Sequence, residues 1–229
     1  MPIAERLAGK YRVLVPDLPG YGKSPAPRDA AYEAVDAEIA EMLAARNATQ
    51  LHGIIGFSSG GYRALELVLR RRVTADVVVG LGAIATFDEA GREMRRQLGV
   101  TLAANPEFLY GPEVRDVFRQ LMLSPAWAEA HPADLERVYQ WVHVTSPAAL
   151  AAEAQAMAVL PDLRPELPSL GARLYLRVGE LDLGAPPAVS EEIARLVPNT
   201  TLDIVRGCGH TLLIEDLAGT TDAIARALG

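Results

Sequence analysis

The hydrophobic pattern of the chain alternates between short apolar runs and longer stretches with helical spacing. After most of the runs, apolar positions recur three and four residues apart, which predicts a helix following each strand. Strands that alternate with helices form a parallel sheet with helices on both faces. The sequence therefore predicts an α/β fold with a mostly parallel sheet of about five strands. The predicted strands are residues 12–15, 51–57, 76–84, 173–178 and 201–205.

Residues 86–168 follow a different pattern. Stretches with helical spacing are separated there by proline-bearing breaks, and no run strongly favours a strand. We expect a helical segment in this region, inserted into an α/β core of residues 1–85 and 169–229. The predicted helices of this insertion are residues 89–98, 114–123, 135–144 and 148–160.

Composition narrows the classes of protein and of partner. Of the 229 residues, 50% are hydrophobic and 22% are charged, which is ordinary for a folded domain. The net charge of −7, without a basic stripe, argues against a nucleic-acid partner. One cysteine, Cys208, and four scattered histidines give no metal-ligand spacing, and no cofactor is expected. Without a signal-like segment or an apolar run of about 18 residues, we expect a cytoplasmic protein with no membrane partner.

The segment after the second predicted strand carries Gly-x-Ser-x-Gly at Gly56, Ser58 and Gly60. A serine on such a strand-to-helix turn is held in a strained backbone conformation with its hydroxyl clear of the sheet. Small neighbours let the chain and a substrate approach closely. The Ser59 N–H would lie at a helix N-terminus and face developing negative charge. Ser58 is therefore the candidate nucleophile. The alternative is a glycine-rich loop that binds phosphate or nothing, with Arg63 as the nearby cation.

Two further candidates follow predicted strands. Asp182 comes after residues 173–178, and His210 comes after residues 201–205. Since the carboxyl ends of parallel strands meet at one edge, we expect both side chains near Ser58. An imidazole can take the serine proton, and a carboxylate can orient the imidazole. Each alone could be an ordinary loop residue, but together they predict a catalytic triad. Glu180 is the substitute acid if Asp182 points away, and Glu215 is expected to be structural.

Taken as a set, four segments resemble the α/β-hydrolase superfamily over almost the whole chain. The resemblance implies the fold, the roles of Ser58, Asp182 and His210, and a cap above the pocket. Candidate substrate contacts are Phe57, beside the serine, and Trp141 and His143 in the cap. The segments that carry the resemblance are residues 12–24, residues 56–61, residues 179–182 with Pro186, and residues 207–210 with Glu215.

The chain also departs from that family. Relatives normally begin with more strands, one of which leads into a His-Gly loop that supplies a second oxyanion N–H. The His52-Gly53 pair here precedes the nucleophile strand, which is the wrong place for that loop. The resemblance thus implies an N-terminally shortened hydrolase that lacks a strand between residues 12–15 and 51–57. Either those two strands pair directly, or another segment or chain fills the gap, which makes a homo-oligomer possible.

The leading functional hypothesis is a serine hydrolase that cleaves a carboxylic ester or lactone through an acyl-enzyme on Ser58. The apolar cap favours a small or medium apolar substrate. The resemblance also allows a carbon–carbon bond hydrolase or an amide hydrolase. A catalytically impaired or binding-only fold is a further alternative, because the oxyanion strand is missing. A serine at position 58 argues against dehalogenase and epoxide-hydrolase chemistry, which use an aspartate there in this superfamily.

Overall fold

The fold is described from a computed structural model that covers residues 2–29, 31–143 and 145–229, except for the side chains of residues 2, 137 and 141–143. Its centre is a parallel four-stranded sheet with the order β1-β2-β3-β4. In the pairing register Phe57 lies opposite Leu81, and Gly179 lies opposite Val205. The carboxyl ends of all four strands therefore meet at one edge. The strands are β1 (Gln50–Phe57), β2 (Thr74–Leu81), β3 (Arg173–Gly179) and β4 (Thr201–Val205).

Helices cover both faces of the sheet, as the alternating pattern predicts. On one face, α2, α3 and α9 bury their apolar residues against Val78, Leu174 and Leu176. On the other face, α1 and α11 pack against Val77 and Val79. The helices of this core are α1 (Pro2–Ala8), α2 (Tyr32–Ala44), α3 (Ser59–Leu69), α9 (Pro187–Leu196), α10 (Leu212–Glu215) and α11 (Leu217–Leu228).

The prediction of a strand at residues 12–15 is wrong, and the sheet has four strands where about five were expected. An apolar run of strand length predicts burial, but a strand also needs a neighbouring edge to pair with. Here a groove of about 650 Å³ separates this segment from β1 and is lined by apolar side chains such as Leu14 and Ile54. The two segments do not pair directly. No strand of the described ranges occupies the outer edge of β1, where Ile55 is 38% exposed.

Between β2 and β3 the described chain is helical and contains no strand. Two of these helices, α4 and α8, pack closely against each other. A Cβ at Gly99 of α4 would lie only 2.6 Å from the side chain of Gln155 of α8. No helix in the described ranges has the length and apolarity needed to cross a membrane. We call this set the inserted helices: α4 (Glu89–Ala104), α5 (Pro112–Met122), α6 (Pro125–Ala130), α7 (Pro132–His143) and α8 (Pro147–Ala158).

Candidate active site

Ser58 occupies a one-residue turn between β1 and α3. Its φ of 54° and ψ of −119° lie in a region that residues with a Cβ rarely adopt, so the turn is strained. A Cβ at Gly56 would collide with the Gly60 carbonyl, and one at Gly61 would collide with Ala83. A Cβ at Gly60 would meet nothing within 4 Å. The turn therefore requires glycine at positions 56 and 61, while position 60 contributes its carbonyl to the tight contact.

Hydrogen bonds fix both ends of this turn. The Ser58 N–H donates to the Leu81 carbonyl at 2.8 Å, which ties the turn to the end of β2. The Tyr32 hydroxyl donates to the Ser59 carbonyl at 2.9 Å. No acceptor within the described chain is assigned to the Ser59 N–H, which opens α3. Such a free N–H at a helix N-terminus can donate to an anion.

Asp182 and His210 are brought together as the sequence predicts. The Asp182 Oδ2 lies 2.7 Å from the His210 Nδ1, and each residue is 2% exposed. The other carboxylate oxygen accepts the Ala185 N–H at 2.7 Å, which fixes the orientation of Asp182. Because an ionised carboxylate can only accept, the His210 Nδ1 carries the hydrogen in this pair. The Nε2 atom is then the basic nitrogen of the ring.

The imidazole of His210 is held from several sides. A Cβ at Gly82, which has a φ of +52°, would lie 3.0 Å from ring atoms of His210. A Cβ at Gly184 would lie 3.3 Å from the same ring, and the Phe57 ring centroid is 4.8 Å from that of His210. Gly82 directly follows Leu81, which pairs with Phe57, so this contact places the imidazole beside the Ser58 turn. Neither glycine was predicted from sequence to lie at the site; the only signal is that each follows a strand end within a few residues.

The two other acidic candidates hold backbone groups. Glu180 accepts the Gly207 N–H at 2.9 Å, and Asp182, not Glu180, bonds to His210. Glu215 accepts the Gly209 N–H at 3.0 and 3.1 Å and the Ser124 N–H at 3.0 Å. Glu215 therefore links the loop that carries His210 to the inserted helices.

The remaining predicted site residues have varied outcomes. Phe57 packs against His210, whereas the side chains of Trp141 and His143 lie outside the described part of the chain. His52 bonds to the Leu228 carbonyl at 2.7 Å, which agrees with its exclusion from an oxyanion loop. Arg63 is paired with the buried Asp36 and is therefore unavailable to an anion in the glycine-rich turn.

A carboxylate from α8 also lies beside the Ser58 turn, and the sequence did not predict it. Glu153 accepts a hydrogen bond from the Ser59 hydroxyl at 3.4 Å and another from the Tyr21 hydroxyl. Burial, with the nearby Glu153 carboxylate as a second cause, raises the pKa of Tyr21. The alanine-rich sequence of α8 gives no signal for this contact. Within the described residues, no group of three or more His, Cys, Asp or Glu side chains could hold a metal ion.

Known proteins support the same fold. The sequence matches the family described as alpha/beta hydrolase fold over residues 1–217. A pimeloyl-acyl-carrier-protein methyl ester esterase from Aeromonas hydrophila is 28% identical over 216 residues, which span 93% of this chain and 83% of that protein. A 2-succinyl-6-hydroxy-2,4-cyclohexadiene-1-carboxylate synthase from Salmonella typhimurium is 27% identical over 230 residues. The match covers 99% of this chain and 87% of that protein.

Solved structures give a close match in three dimensions. An esterase from Thermogutta terrifontis superposes with a TM-score of 0.87 at 27% identity, over 99% of this chain and 82% of that one. An enol-lactonase from Burkholderia xenovorans LB400 also gives 0.87, at 21% identity, and shows the same fold over 99% of this chain and 84% of that one. The parallel sheet, the strained serine turn and the match over residues 1–217 lead to one conclusion: the chain belongs to the α/β-hydrolase family and is an enzyme of the hydrolase class.

Proposed function

We propose that the chain is a serine hydrolase that cleaves a carboxylic ester or lactone through an acyl-enzyme on Ser58. The observation that carries the proposal is the buried 2.7 Å contact between His210 and Asp182, at the same sheet edge as the strained turn of Ser58. A serine hydroxyl needs a base, and the base needs a fixed tautomer. The residues for all three functions follow the carboxyl ends of β1, β3 and β4, at one edge of the sheet.

In the proposed reaction, the Ser58 Oγ attacks the substrate carbonyl while the His210 Nε2 takes the hydroxyl proton. Asp182 stabilises the imidazolium that forms, and the Ser59 N–H donates to the carbonyl oxygen as it becomes negative. His210 then protonates the leaving alcohol oxygen, which leaves an acyl group on Ser58. In the second half, His210 removes a proton from water, the hydroxide attacks the acyl carbon, and Ser58 regains its proton.

The inserted helices are proposed to form the cap over this site. Two contacts support that role: Glu153 of α8 reaches the Ser59 hydroxyl, and the segment between α5 and α6 bonds to the residues around His210. A mostly apolar cap favours an apolar acyl or alcohol group of small or medium size. The names of the esterases from Aeromonas hydrophila and Thermogutta terrifontis support an ester as the substrate class.

Hydrolysis of short p-nitrophenyl esters by the wild-type chain and by Ser58→Ala tests the proposal. We expect turnover by the wild type, and a loss of about 10⁴-fold or more in Ser58→Ala because no acyl-enzyme can form. A serine-directed fluorophosphonate should label the wild type at Ser58 and leave the variant unlabelled. Turnover that survives Ser58→Ala would exclude the mechanism. A folded wild type with neither turnover nor label would favour the impaired or binding-only alternative.

A further inference from the structure

The carboxylate of Glu215 binds two separate parts of the molecule at once. Both of its oxygens accept the Gly209 N–H, at 3.0 and 3.1 Å, and Oε2 also accepts the Ser124 N–H at 3.0 Å. Gly209 directly precedes His210, while Ser124 lies between α5 and α6. Ser124 is 1% exposed, so this contact lies inside the protein. Bonds to an ionised carboxylate are stronger than those between neutral groups.

The residue on the other side of His210 is bound to the same segment. The Thr211 N–H and the Thr211 hydroxyl both donate to the Met122 carbonyl, at 2.9 and 2.8 Å. The backbone contact is also close, because a Cβ at Gly209 would lie 2.6 Å from the Ser124 nitrogen. Residues 122–124, which we call the docking segment, therefore fix the chain immediately before and immediately after His210.

The beginning of the His210 loop is bound instead to the core. Glu180 accepts the Gly207 N–H at 2.9 Å, and the Leu181 N–H donates to the Cys208 carbonyl at 2.9 Å. Both partners lie directly after β3, next to Asp182. The loop is thus attached to the core at residues 207 and 208 and to the inserted helices at residues 209 and 211. A displacement of the docking segment would move His210 relative to Asp182.

We propose that Glu215 is a positioning residue that couples the inserted helices to His210. The docking segment sets the position of the backbone on both sides of the imidazole, and the Glu215 carboxylate maintains that contact. Movement of the inserted helices therefore changes the alignment of the base. The kinetic part of this inference rests on the proposed function. A misplacement of about 1 Å at a catalytic group can lower a rate about 100-fold.

The experiment compares the full-length wild type with Glu215→Gln and Thr211→Val, and uses Glu180→Gln as the matched control. Glu215→Gln replaces the charged acceptor by an amide, so one acceptor oxygen remains for two N–H groups. Thr211→Val removes the hydroxyl bond to Met122 and leaves Glu215 untouched. Glu180→Gln makes the same carboxylate-to-amide change on the core side of the loop. The readouts are kcat and KM for p-nitrophenyl acetate and hydrogen exchange of backbone amides.

We expect Glu215→Gln to lower kcat about 10–100-fold with little change in KM, because the imidazole is misplaced while the pocket is intact. Thr211→Val should also lower kcat, by a smaller factor than Glu215→Gln. Exchange should become faster at Ser124 and Gly209 in Glu215→Gln, whereas in Glu180→Gln it should become faster at Gly207 and stay unchanged at Ser124. If Glu215→Gln does not fold, Thr211→Val tests the same coupling.

Two results would overturn the proposal. One is a folded Glu215→Gln protein with the kcat of the wild type. The other is a lower kcat with unchanged exchange at Ser124, because Glu215 would then act on the loop alone. A wild type that neither turns over esters nor binds a fluorophosphonate would count against the proposed function instead. The exchange comparison would still decide whether Glu215 couples the two regions.

Discussion

The two flanks of the Ser58 turn are built differently. On the flank of β2, β3 and β4, the imidazole of His210 lies against Gly82 and Gly184 and bonds to a buried Asp182. On the flank of β1, the outer strand edge faces a groove of about 650 Å³. Close packing is thus concentrated where protons would be transferred. For the proposed oxyanion, the described chain offers one candidate donor, the Ser59 N–H.

The largest effect expected on the packed flank is that of Asp182→Asn. The new amide can donate to the His210 Nδ1, which would move the imidazole hydrogen to Nε2 and remove the base of the proposed mechanism. We expect kcat to fall about 10⁴-fold with the fold retained, because the Oδ1 contact with the Ala185 N–H can persist. Glu180→Gln should cost far less, since Glu180 contacts Gly207 instead of His210. Ester kinetics of purified variants provide the measurement, and a loss below tenfold would show that Asp182 does not orient the base.

A smaller loss is expected from Gly82→Ala. A Cβ there lies 3.0 Å from the imidazole, and the φ of +52° disfavours any residue with a side chain. We expect kcat to fall about 10–100-fold and the free energy of unfolding to fall by about 1–2 kcal/mol.

Gly60→Ala, in the first turn of α3, is the matched control. A Cβ at that position meets nothing within 4 Å, so the stability should be equal to or slightly above that of the wild type. Urea unfolding and ester kinetics measure both properties. Equal losses of kcat and stability in Gly82→Ala and Gly60→Ala would contradict the expectation that position 82 is packed against the imidazole while position 60 is open.

The third effect concerns buried charges behind the turn, where Glu66 of α3 lies near Asp36 of α2. Burial, followed by the hydrogen bond and the charge of Asp36, raises the pKa of Glu66 to about 7. Asp36 Oδ2 and Glu66 Oε2 have no other partner among the described residues, and a shared proton would satisfy both. Since the folded state binds this proton more tightly than the unfolded state, the free energy of unfolding should fall as the pH rises from about 4.5 through 7.

Glu66→Gln isolates this contribution because the amide imitates the protonated acid. Between pH 5 and pH 8, the unfolding free energy of the variant should fall by about 1–2 kcal/mol less than that of the wild type. Urea unfolding at both pH values gives the comparison, and the exposed carboxylate of Glu33 on α2 provides a control as Glu33→Gln. An identical pH dependence in wild type and Glu66→Gln would show that Glu66 is not protonated in the folded state.

The placement of Ser58, Asp182 and His210 at one edge of the sheet could be predicted from sequence because each follows an apolar run. A strand end fixes where a side chain emerges, and the order of strands brings the three ends together. The steric role of Gly82 could not be predicted, since it depends on a ring from a distant part of the chain. The same holds for Glu215, whose partner Ser124 is 91 residues away. The strand expected at residues 12–15 failed for a related reason: its apolar pattern says nothing about the edge it would pair with.

The smallest expected effect measures the open flank directly. Ile55 and Val79 are register partners on β1 and β2, but Ile55 is 38% exposed and Val79 is fully buried. Replacement of Val79 by Thr puts a hydroxyl into the core and should cost about 1–3 kcal/mol. Replacement of Ile55 by Thr should change the unfolding free energy by less than about 0.5 kcal/mol, because threonine suits an exposed strand position.

Urea unfolding of both variants, at two protein concentrations, provides the measurement. A cost at Ile55 comparable to that at Val79 would mean that the outer edge of β1 is covered in solution. If that cost grows with protein concentration, the cover is a second copy of the chain, because association stabilises the folded state by mass action. A small cost at both concentrations would leave β1 as an open edge, and the Ser59 N–H would then work beside a groove that water can enter.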